Sequence, residues 1–155
     1  MRKIKFRGKS ANNGKWIYGY FLVNHFEEHT IWGKDFGIKV IPETVGQYVG
    51  LSDKTNKEIY EGDIVSFKDI TNMNTCNEWV AGFGVIKFGE YDCNCDEYGD
   101  SHYGFYIEGY DEYKRRDDGK LDRYDNFKSV LEINHYKVIG NLYENPELIK
   151  GGDKK

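Results

Sequence analysis

Apolar and polar residues alternate along several short stretches of the chain. Ile4 and Phe6 alternate with basic residues, and an Asn-Asn-Gly-Lys turn at 12–15 leads into an almost wholly apolar stretch, 16–23. A period of two is typical of strands with one buried face, so we expect these two stretches to pair as a hairpin. The same alternation at 103–107 and around 136–140 predicts two further strands.

Short apolar runs bounded by turn residues predict the other strands. These runs are 30–32, 38–41, 47–49, 64–67 and 84–88. Pro42 follows the second of them and cannot donate a ladder hydrogen bond, so that strand should end there or lie at an edge.

Polar segments separate the predicted strands. Segment 69–78 is rich in Asn and predicts an exposed loop, and the acidic segment 90–100 predicts a loop or a hairpin tip. Segment 110–126 has mixed charges and no apolar period, which favours a solvated loop or a short surface helix. Near the end, Asn145 and Pro146 predict one closing turn of helix, with Asn145 as its cap.

Together these elements predict a mainly β fold in a single domain over residues 1–150. The connections are too short and too polar for the crossover helices of a parallel sheet. We therefore expect an antiparallel, barrel-like or sandwich arrangement of about seven to eight short strands, with long polar loops and little helix. The tail, residues 151–155, should be disordered.

Composition agrees with this fold and narrows the function. Aromatic residues make up 16% of the chain, and Gly is frequent at 18 residues while Pro occurs only 2 times, a balance that favours strands and turns. The net charge of −4 counts against a dedicated duplex-DNA binder. No apolar run is long enough to span a membrane, and no signal core follows the basic N-terminus. With 3 Cys in the chain, we expect reduced thiols and a cytoplasmic location, with no membrane partner.

The stretch 49–65, which we call the signature stretch, combines turn residues with apolar anchors. Asn56 tolerates left-handed backbone geometry, and Gly62 supplies it without steric cost. Ile59 and Tyr60 should reach inward or sideways to anchor the stretch, and Ile64 and Val65 should begin a core strand.

The signature stretch resembles the YopX family. That family's usual form is Thr-Gly-Leu, an Asp-Lys-Asn-Gly turn, and then Lys-Glu-Ile-Tyr-Glu-Gly-Asp-Ile-Val; here the chain reads Val-Gly-Leu-Ser-Asp-Lys-Thr-Asn-Lys-Glu-Ile-Tyr-Glu-Gly-Asp-Ile-Val. The opening 4–8 and the end 138–148 are also similar to the family. The positions carrying the resemblance are Gly50, Asp53, Asn56, Ile59, Tyr60, Glu61, Gly62, Asp63, Asn141, Tyr143, Asn145 and Pro146.

The chain departs from the family in two places within the signature stretch and throughout 69–126. Val49 replaces the usual Thr, and Thr55-Asn56 replaces the Asn-Gly turn. The resemblance implies a small β-rich protein encoded by a bacteriophage or prophage of Gram-positive bacteria, acting in the cytoplasm of the host cell. It implies no catalytic residues.

Two groups of residues are candidates for metal binding or acid–base chemistry. Cys93, Cys95 and His102, with the remote Cys76, are weak candidates for a metal site, because their spacing departs from the paired knuckles of structural zinc. We therefore expect no metal and no cofactor. The carboxylates of Glu58, Glu61 and Asp63 could divide acid and base roles. Turns use the same residue types for local reasons, so we favour turn chemistry there.

The N-terminal hairpin is the candidate binding surface. The odd-numbered bases should lie on one side and Ile4 and Phe6 on the other. Exposed aromatics flanked by cations can bind single-stranded nucleic acid, although a solvated outer face over an aromatic core is the simpler interpretation. The candidate binding residues, for nucleic acid or another partner, are Lys5, Arg7, Lys15, Trp16 and Tyr18, with Lys3, Lys9 and Tyr20 beside them.

The functional prediction is a non-enzymatic phage accessory protein that acts as a binding module. Its partner would be an unknown host or phage protein, or a second copy of the chain, because Tyr and Trp suit such interfaces. The alternative is a protein that binds single-stranded nucleic acid. A weaker alternative is a metal-dependent enzyme at the Cys- and acid-rich loop.

Overall fold

The computed structural model describes residues 3–72, 77–92, 101–109, 112–115, 121–124, 128–130 and 136–150. The chain groups into two compact units. Unit 1 comprises residues 1–51 and 58–61, and unit 2 comprises residues 52–57 and 62–155. The single domain over 1–150 stays a prediction.

Unit 1 contains a six-stranded sheet. Its strands in chain order are β1 (Phe6–Lys9), β2 (Trp16–Val23), β3 (His29–Trp32), β4 (Gly37–Lys39), β5 (Gly46–Ser52) and β6 (Glu58–Tyr60). Their order in the sheet is β4-β3-β2-β1-β5-β6. The predicted hairpin is confirmed, since β1 and β2 pair antiparallel with Lys9 opposite Trp16. A 3-10 helix begins at Pro42, where the preceding strand was expected to end.

The sheet of unit 1 curls around an aliphatic core. An isolated bridge joins Ser10 to Val40, next to a hydrogen bond of 2.8 Å from the Ile41 N–H to the Lys9 carbonyl. This curl brings the end of β1 close to the residues that follow β4. Gly8 lies inside the curl, where a Cβ atom would be only 3.0 Å from Ile31 Cδ1. The buried hydrophobic side chains of the unit are Ile31, Val40, Val49, Ile59 and Tyr60.

Unit 2 is built around one long central strand. Its strands are β7 (Asp63–Asn72), β8 (Asn77–Asp92), β9 (Ser101–Gly109), β10 (Glu112–Arg115), β11 (Leu121–Tyr124), β12 (Lys128–Val130) and β13 (Tyr136–Asn141), followed by the helix α1 (Glu147–Lys150). The sheet order is β11-β10-β8-β7-β13, and β9 pairs with both β8 and β12. Ile64, Val65, Val85, Ile86 and Ile107 form the fully buried part of its core.

The mainly β, antiparallel fold with little helix is confirmed. The described residues form thirteen strands, more than the expected seven to eight. Two loop predictions are wrong, and the second of them accounts for two of the additional strands. Segment 69–78 contains the end of β7 and the start of β8, which pair with Asn72 opposite Asn77. Segment 110–126 contains β10 and β11, which pair as a hairpin with Arg115 opposite Leu121.

Both corrections have the same physical reason. A backbone ladder satisfies the N–H and C=O groups of a strand whatever its side chains are. Here the polar ends of β7 and β8 continue apolar strands, and β10 pairs with β8. A segment that is polar on both faces has no hydrophobic period, so sequence patterning cannot detect it. Residues 73–76, 110–111, 116–120 and 125–126 lie outside the described part of the chain.

The remaining predictions differ in outcome. The segment 90–100 joins paired strands, with Asp92 opposite Ser101, as a hairpin tip requires; residues 93–100 themselves are not described. The closing helical turn is confirmed. Asn145 Oδ1 accepts a hydrogen bond of 3.3 Å from the Asn141 N–H, and the Asn145 carbonyl accepts one of 3.1 Å from the Leu148 N–H at the start of the helix. The predicted tail, 151–155, is also outside the described residues.

Among the described residues, no helix has the length and apolar character needed to cross a membrane.

Candidate functional site

Four of the predicted binding residues, Lys5, Arg7, Trp16 and Tyr18, meet on one face of the sheet in unit 1. Arg7 on β1 lies directly opposite Tyr18 on β2, and opposite residues of an antiparallel pair share a face. The Arg7 guanidinium carbon is 4.7 Å from the centre of the Trp16 ring and 5.0 Å from that of Tyr60. Phe6 lies on the opposite face, 5.5 Å from Phe21 between ring centres. We call Lys5, Arg7, Trp16, Tyr18, Tyr48, Glu58 and Tyr60 the stacked cluster.

Most of the charge in the stacked cluster is neutralised within the chain. Lys5 forms an ion pair with Glu58, and its ammonium lies 5.4 Å from the centre of the Tyr48 ring. The hydroxyl of Tyr60 donates a hydrogen bond of 2.9 Å to the Glu58 carboxylate. Burial, reinforced by Glu58, raises the pKa of Tyr60. Burial also acts to raise the pKa of Glu58, but the hydrogen bonds from Lys5 and Tyr60 outweigh it and lower that pKa.

Arg7 is part of the architecture of the sheet. Its side chain is only 4% exposed, and it donates a hydrogen bond of 3.2 Å to the Glu61 carbonyl. The Glu61 carbonyl oxygen lies close to the backbone of β5 at Gly46, where an added Cβ atom would be only 2.5 Å from this oxygen. Burial raises the pKa of the Glu61 carboxyl, against a smaller effect of the Gln47 backbone N–H. Tyr60 is buried as well. The buried members of the stacked cluster therefore stabilise the sheet.

In unit 2, Asp53 organises the first turn of the signature stretch. Its Oδ1 accepts hydrogen bonds from the Thr55 N–H at 2.7 Å, the Thr55 hydroxyl at 2.7 Å and the Lys57 N–H at 2.9 Å, while Oδ2 accepts one from the Val138 N–H at 2.9 Å. The carboxylate is buried, which by itself would raise its pKa. The four hydrogen bonds outweigh burial and lower the pKa of Asp53 to about 2.

The same turn covers the outer edge of β13. This strand is the last in the sheet order and pairs with β7 on its inner side. On its outer side, the Val138 N–H is bound by the Asp53 carboxylate, and the Tyr136 carbonyl accepts a hydrogen bond of 3.0 Å from the Lys54 N–H. An edge strand with free backbone groups invites pairing with another chain. The turn therefore protects the edge of the sheet.

The other family positions also have structural roles. Asn56 and Gly62 have φ of 65° and 80°, which confirms the predicted left-handed turns. A Cβ atom on Gly62 would lie 3.3 Å from the Tyr143 ring. Asn141 Oδ1 accepts hydrogen bonds from the Tyr143 and Glu144 N–H groups at 3.0 and 3.1 Å.

Exposed apolar side chains are concentrated in one part of unit 1. Of the thirteen exposed large hydrophobic side chains among the described residues, eight belong to residues 18–41. We call these eight the exposed patch: Tyr18, Tyr20, Leu22, Val23, Phe26, Trp32, Phe36 and Ile41.

The turn between β2 and β3 holds Phe26 in the exposed patch. Asn24 Oδ1 accepts hydrogen bonds from the N–H groups of Phe26 and Glu28 at 2.9 and 3.0 Å. The Asn24 amide donates to Glu28 at 2.9 Å, and Glu28 pairs with Lys39 at 3.2 Å. These bonds fix a turn whose Phe26 side chain is 73% exposed.

The structure brings Lys5, Arg7, Trp16 and Tyr18 together, whereas Lys15 lies exposed in the turn before Trp16. Sequence reasoning did not select Phe26 or Trp32. The available signals were a lone Phe within a polar turn and a Trp at the end of a very short strand. Neither signal distinguishes an exposed aromatic side chain from a core one before the strand register is known.

Of the candidate metal ligands, only His102 belongs to the described residues. Cys93 and Cys95 lie outside the described residues, and His102 is exposed with its ring 5.5 Å from that of Tyr91. Within the described part of the chain, no group of three or more His, Cys, Asp and Glu residues is arranged to hold a metal ion.

Fold and sequence together define a class and then a family. The class is a small, mainly β protein with antiparallel sheets and a buried Asp-centred turn at one sheet edge. The family model described as YopX protein matches residues 3–150, so the chain belongs to the YopX family. A search of curated proteins finds no significant match to the chain.

Proposed function

We propose that this YopX family member is a non-enzymatic binding module that recognises a protein partner through the exposed patch. The observation that carries the proposal is the concentration of eight exposed large hydrophobic side chains within residues 18–41. Exposed apolar side chains grouped in this way mark interaction sites on soluble proteins. The family resemblance adds the proposal that the chain is a phage or prophage accessory protein acting in the cytoplasm of its host.

The fixed turn at Phe26 supports a role in binding. Because these hydrogen bonds already order the backbone at Phe26, less conformational freedom is lost when its ring enters a partner's pocket. Leu22 and Val23, next to the turn on β2, point to opposite faces of the strand and are both exposed. The end of the β2–β3 hairpin is therefore apolar on both faces.

The proposal is tested by capturing partners from host cells with the intact chain and with the variant Phe26→Ser combined with Leu22→Ser. We expect the variant to lose the captured protein. The matched control is Tyr103→Ser, which removes an exposed aromatic side chain from β9 in unit 2. Light scattering of the purified protein measures self-association. The proposal is wrong if the intact chain neither captures a partner nor self-associates, or if the variant and the control behave alike.

Single-stranded nucleic acid is the second candidate ligand. The favouring observation is that Lys5, Arg7, Trp16 and Tyr18 share one face, as such a site requires. Against it, Arg7 is buried and Lys5 is paired with Glu58. Titration with oligonucleotides at two salt concentrations, followed by Trp fluorescence, tests this candidate; quenching that is absent at both concentrations excludes it.

A further inference from the structure

The turn between β1 and β2 contains the only asparagine in the chain that is followed by a glycine, Asn13 before Gly14. Residues 11–15 of this turn are all exposed. Gly14 has a φ of 68°, a left-handed conformation that residues with a side chain rarely adopt, and there is open space where its Cβ atom would be. The peptide nitrogen of Gly14 is therefore not screened by a side chain on its own residue.

The side chain of Asn13 is folded back along the backbone that follows it. Its Oδ1 accepts a hydrogen bond of 3.0 Å from the Lys15 N–H, two residues further on. This Asx turn holds the side-chain carbonyl group beside the peptide bond that joins residues 13 and 14. The same hydrogen bond draws electron density away from the carbonyl carbon, Cγ. A donor in this position stabilises the negative charge that Oδ1 gains when a nucleophile attacks Cγ.

We infer that Asn13 is a site of spontaneous deamidation through a succinimide. The Gly14 nitrogen loses its proton to hydroxide from the solvent and attacks Asn13 Cγ, which closes the ring and expels ammonia. Water then opens the ring at either of its carbonyl groups, so residue 13 becomes aspartate or isoaspartate. In sum, one amide and one water give one carboxylic acid and one ammonia. Ring closure is favoured because the nucleophile and Cγ belong to adjacent groups of one turn.

One hydrogen bond opposes this reaction. The Gly14 N–H donates to the Ser10 carbonyl at 2.9 Å, and this bond must open before the nitrogen can lose its proton. Exposed turns open locally at a much lower cost in free energy than unfolding of the whole chain. The bond to Ser10 therefore slows deamidation of Asn13 without preventing it.

Asn24, in the turn between β2 and β3, provides a matched comparison. It is also exposed, and its Oδ1 accepts a hydrogen bond of 2.9 Å from the Phe26 N–H, again two residues further on. The difference is the residue that follows it, because His25 has a side chain, whose ring centre lies 3.8 Å from that of Phe26. This side chain restricts the backbone and screens the attacking nitrogen. We therefore expect Asn24 to stay intact while Asn13 reacts.

The test incubates the purified chain at about pH 7 and at about pH 9 and follows each asparagine by peptide mapping and mass spectrometry. We expect Asn13 to deamidate at least about tenfold faster than Asn24. The rate at Asn13 should be higher at the higher pH, because more of the Gly14 nitrogen is then deprotonated. An assay for isoaspartate identifies the route, since direct hydrolysis of the side-chain amide gives aspartate alone.

Two variants change the residue that follows each asparagine. Gly14→Ala should slow deamidation of Asn13 by about tenfold or more. His25→Gly should make Asn24 reactive, at a rate within about tenfold of that of Asn13. Circular dichroism checks that both variants fold. If Gly14→Ala does not fold because of the left-handed φ at this position, His25→Gly tests the inference by itself.

The inference is overturned if Asn13 stays intact at the higher pH, if Asn24 reacts as fast as Asn13, or if aspartate forms there without isoaspartate. It is also overturned by a His25→Gly variant in which Asn24 does not react. Deamidation would add one negative charge to the net charge of −4, and isoaspartate would also lengthen the backbone of the turn. The inference is independent of the proposed function, because the turn at 11–15 contains no residue of the exposed patch.

Discussion

Asp53 receives four hydrogen bonds, three of them from backbone N–H groups. The Asp53→Ala variant would leave those N–H groups without their acceptor, which costs more than the loss of ordinary hydrogen bonds. We expect a loss of about 2–4 kcal/mol in the free energy of unfolding, measured by urea denaturation. Asp35→Ala is the control, because Asp35 is exposed, and it should change stability by less than about 0.5 kcal/mol. Equal stabilities of the two variants would refute this role for Asp53.

Asp53 also predicts how stability depends on pH. Its pKa in the folded chain is about 2, below the value of 3.8 for a free side chain. A lowered pKa stabilises the fold at pH values above 3.8, and this contribution disappears as the pH falls through about 2. It amounts to roughly 2 kcal/mol. We expect Asp53→Asn to show a smaller fall in melting temperature than the intact chain between pH 5 and pH 2, as measured by circular dichroism.

Gly62 combines a left-handed backbone with close packing. Its φ is 80°, and a Cβ atom would lie 3.3 Å from the Tyr143 ring. Gly62→Val should therefore destabilise the fold by roughly 1–3 kcal/mol, measured as a shift in the denaturation midpoint. Gly33→Val is the control, since Gly33 has open space around it and no left-handed φ. An unchanged midpoint for the Gly62 variant would mean that the turn adapts to a side chain.

At the scale of elements, the side chain of Arg7 anchors β1 through contacts with other strands of the sheet. The planar Arg7 guanidinium stacks on Trp16 and Tyr60 and also donates to the Glu61 carbonyl. A lysine keeps the charge but loses the planar stacking and the fork of donors. We expect Arg7→Lys to cost about 1–2 kcal/mol in thermal or urea unfolding, whereas Lys15→Ala should be nearly neutral. A neutral Arg7→Lys variant would show that charge alone matters at this position.

The strands and the helix also show how much of the fold the pattern of apolar and polar residues predicts. Alternating apolar residues and turn residues correctly predict the N-terminal hairpin, β3, β9 and the closing helical turn. In these segments no other sequence pattern suggests a different structure. β10 and β11 do not, because Glu112–Arg115 and Leu121–Tyr124 are polar enough to look like loop. The hairpin that they form joins the sheet through a strand far away in the chain, because β10 pairs with β8, where Lys114 lies opposite Trp79. The β-propensity of a residue depends on the residue itself and its neighbours in sequence, whereas strand pairing depends on residues distant in the chain, which a local pattern cannot predict.

At the scale of the whole molecule, the signature stretch belongs to both units. Residues 58–61 complete unit 1, while 52–57 and 62–65 belong to unit 2. The strand β6, with its buried Ile59 and Tyr60, is thus an essential part of the first sheet. We expect a fragment of residues 1–51 to be unfolded by circular dichroism and a fragment of residues 1–61 to regain β structure. A folded 1–51 fragment would show that β6 is dispensable.

The sequence by itself determined the family, the antiparallel β class and the left-handed turns at Asn56 and Gly62. These features depend on neighbouring residues, on composition and on backbone preferences, which the sequence carries directly. Only the tertiary structure decided that Arg7 is buried, that the Asp53 turn covers the edge of β13, and that Tyr20 and Trp32 share an exposed face. Each of these depends on strand register, and a shift of one residue would turn every side chain of a strand to the opposite face.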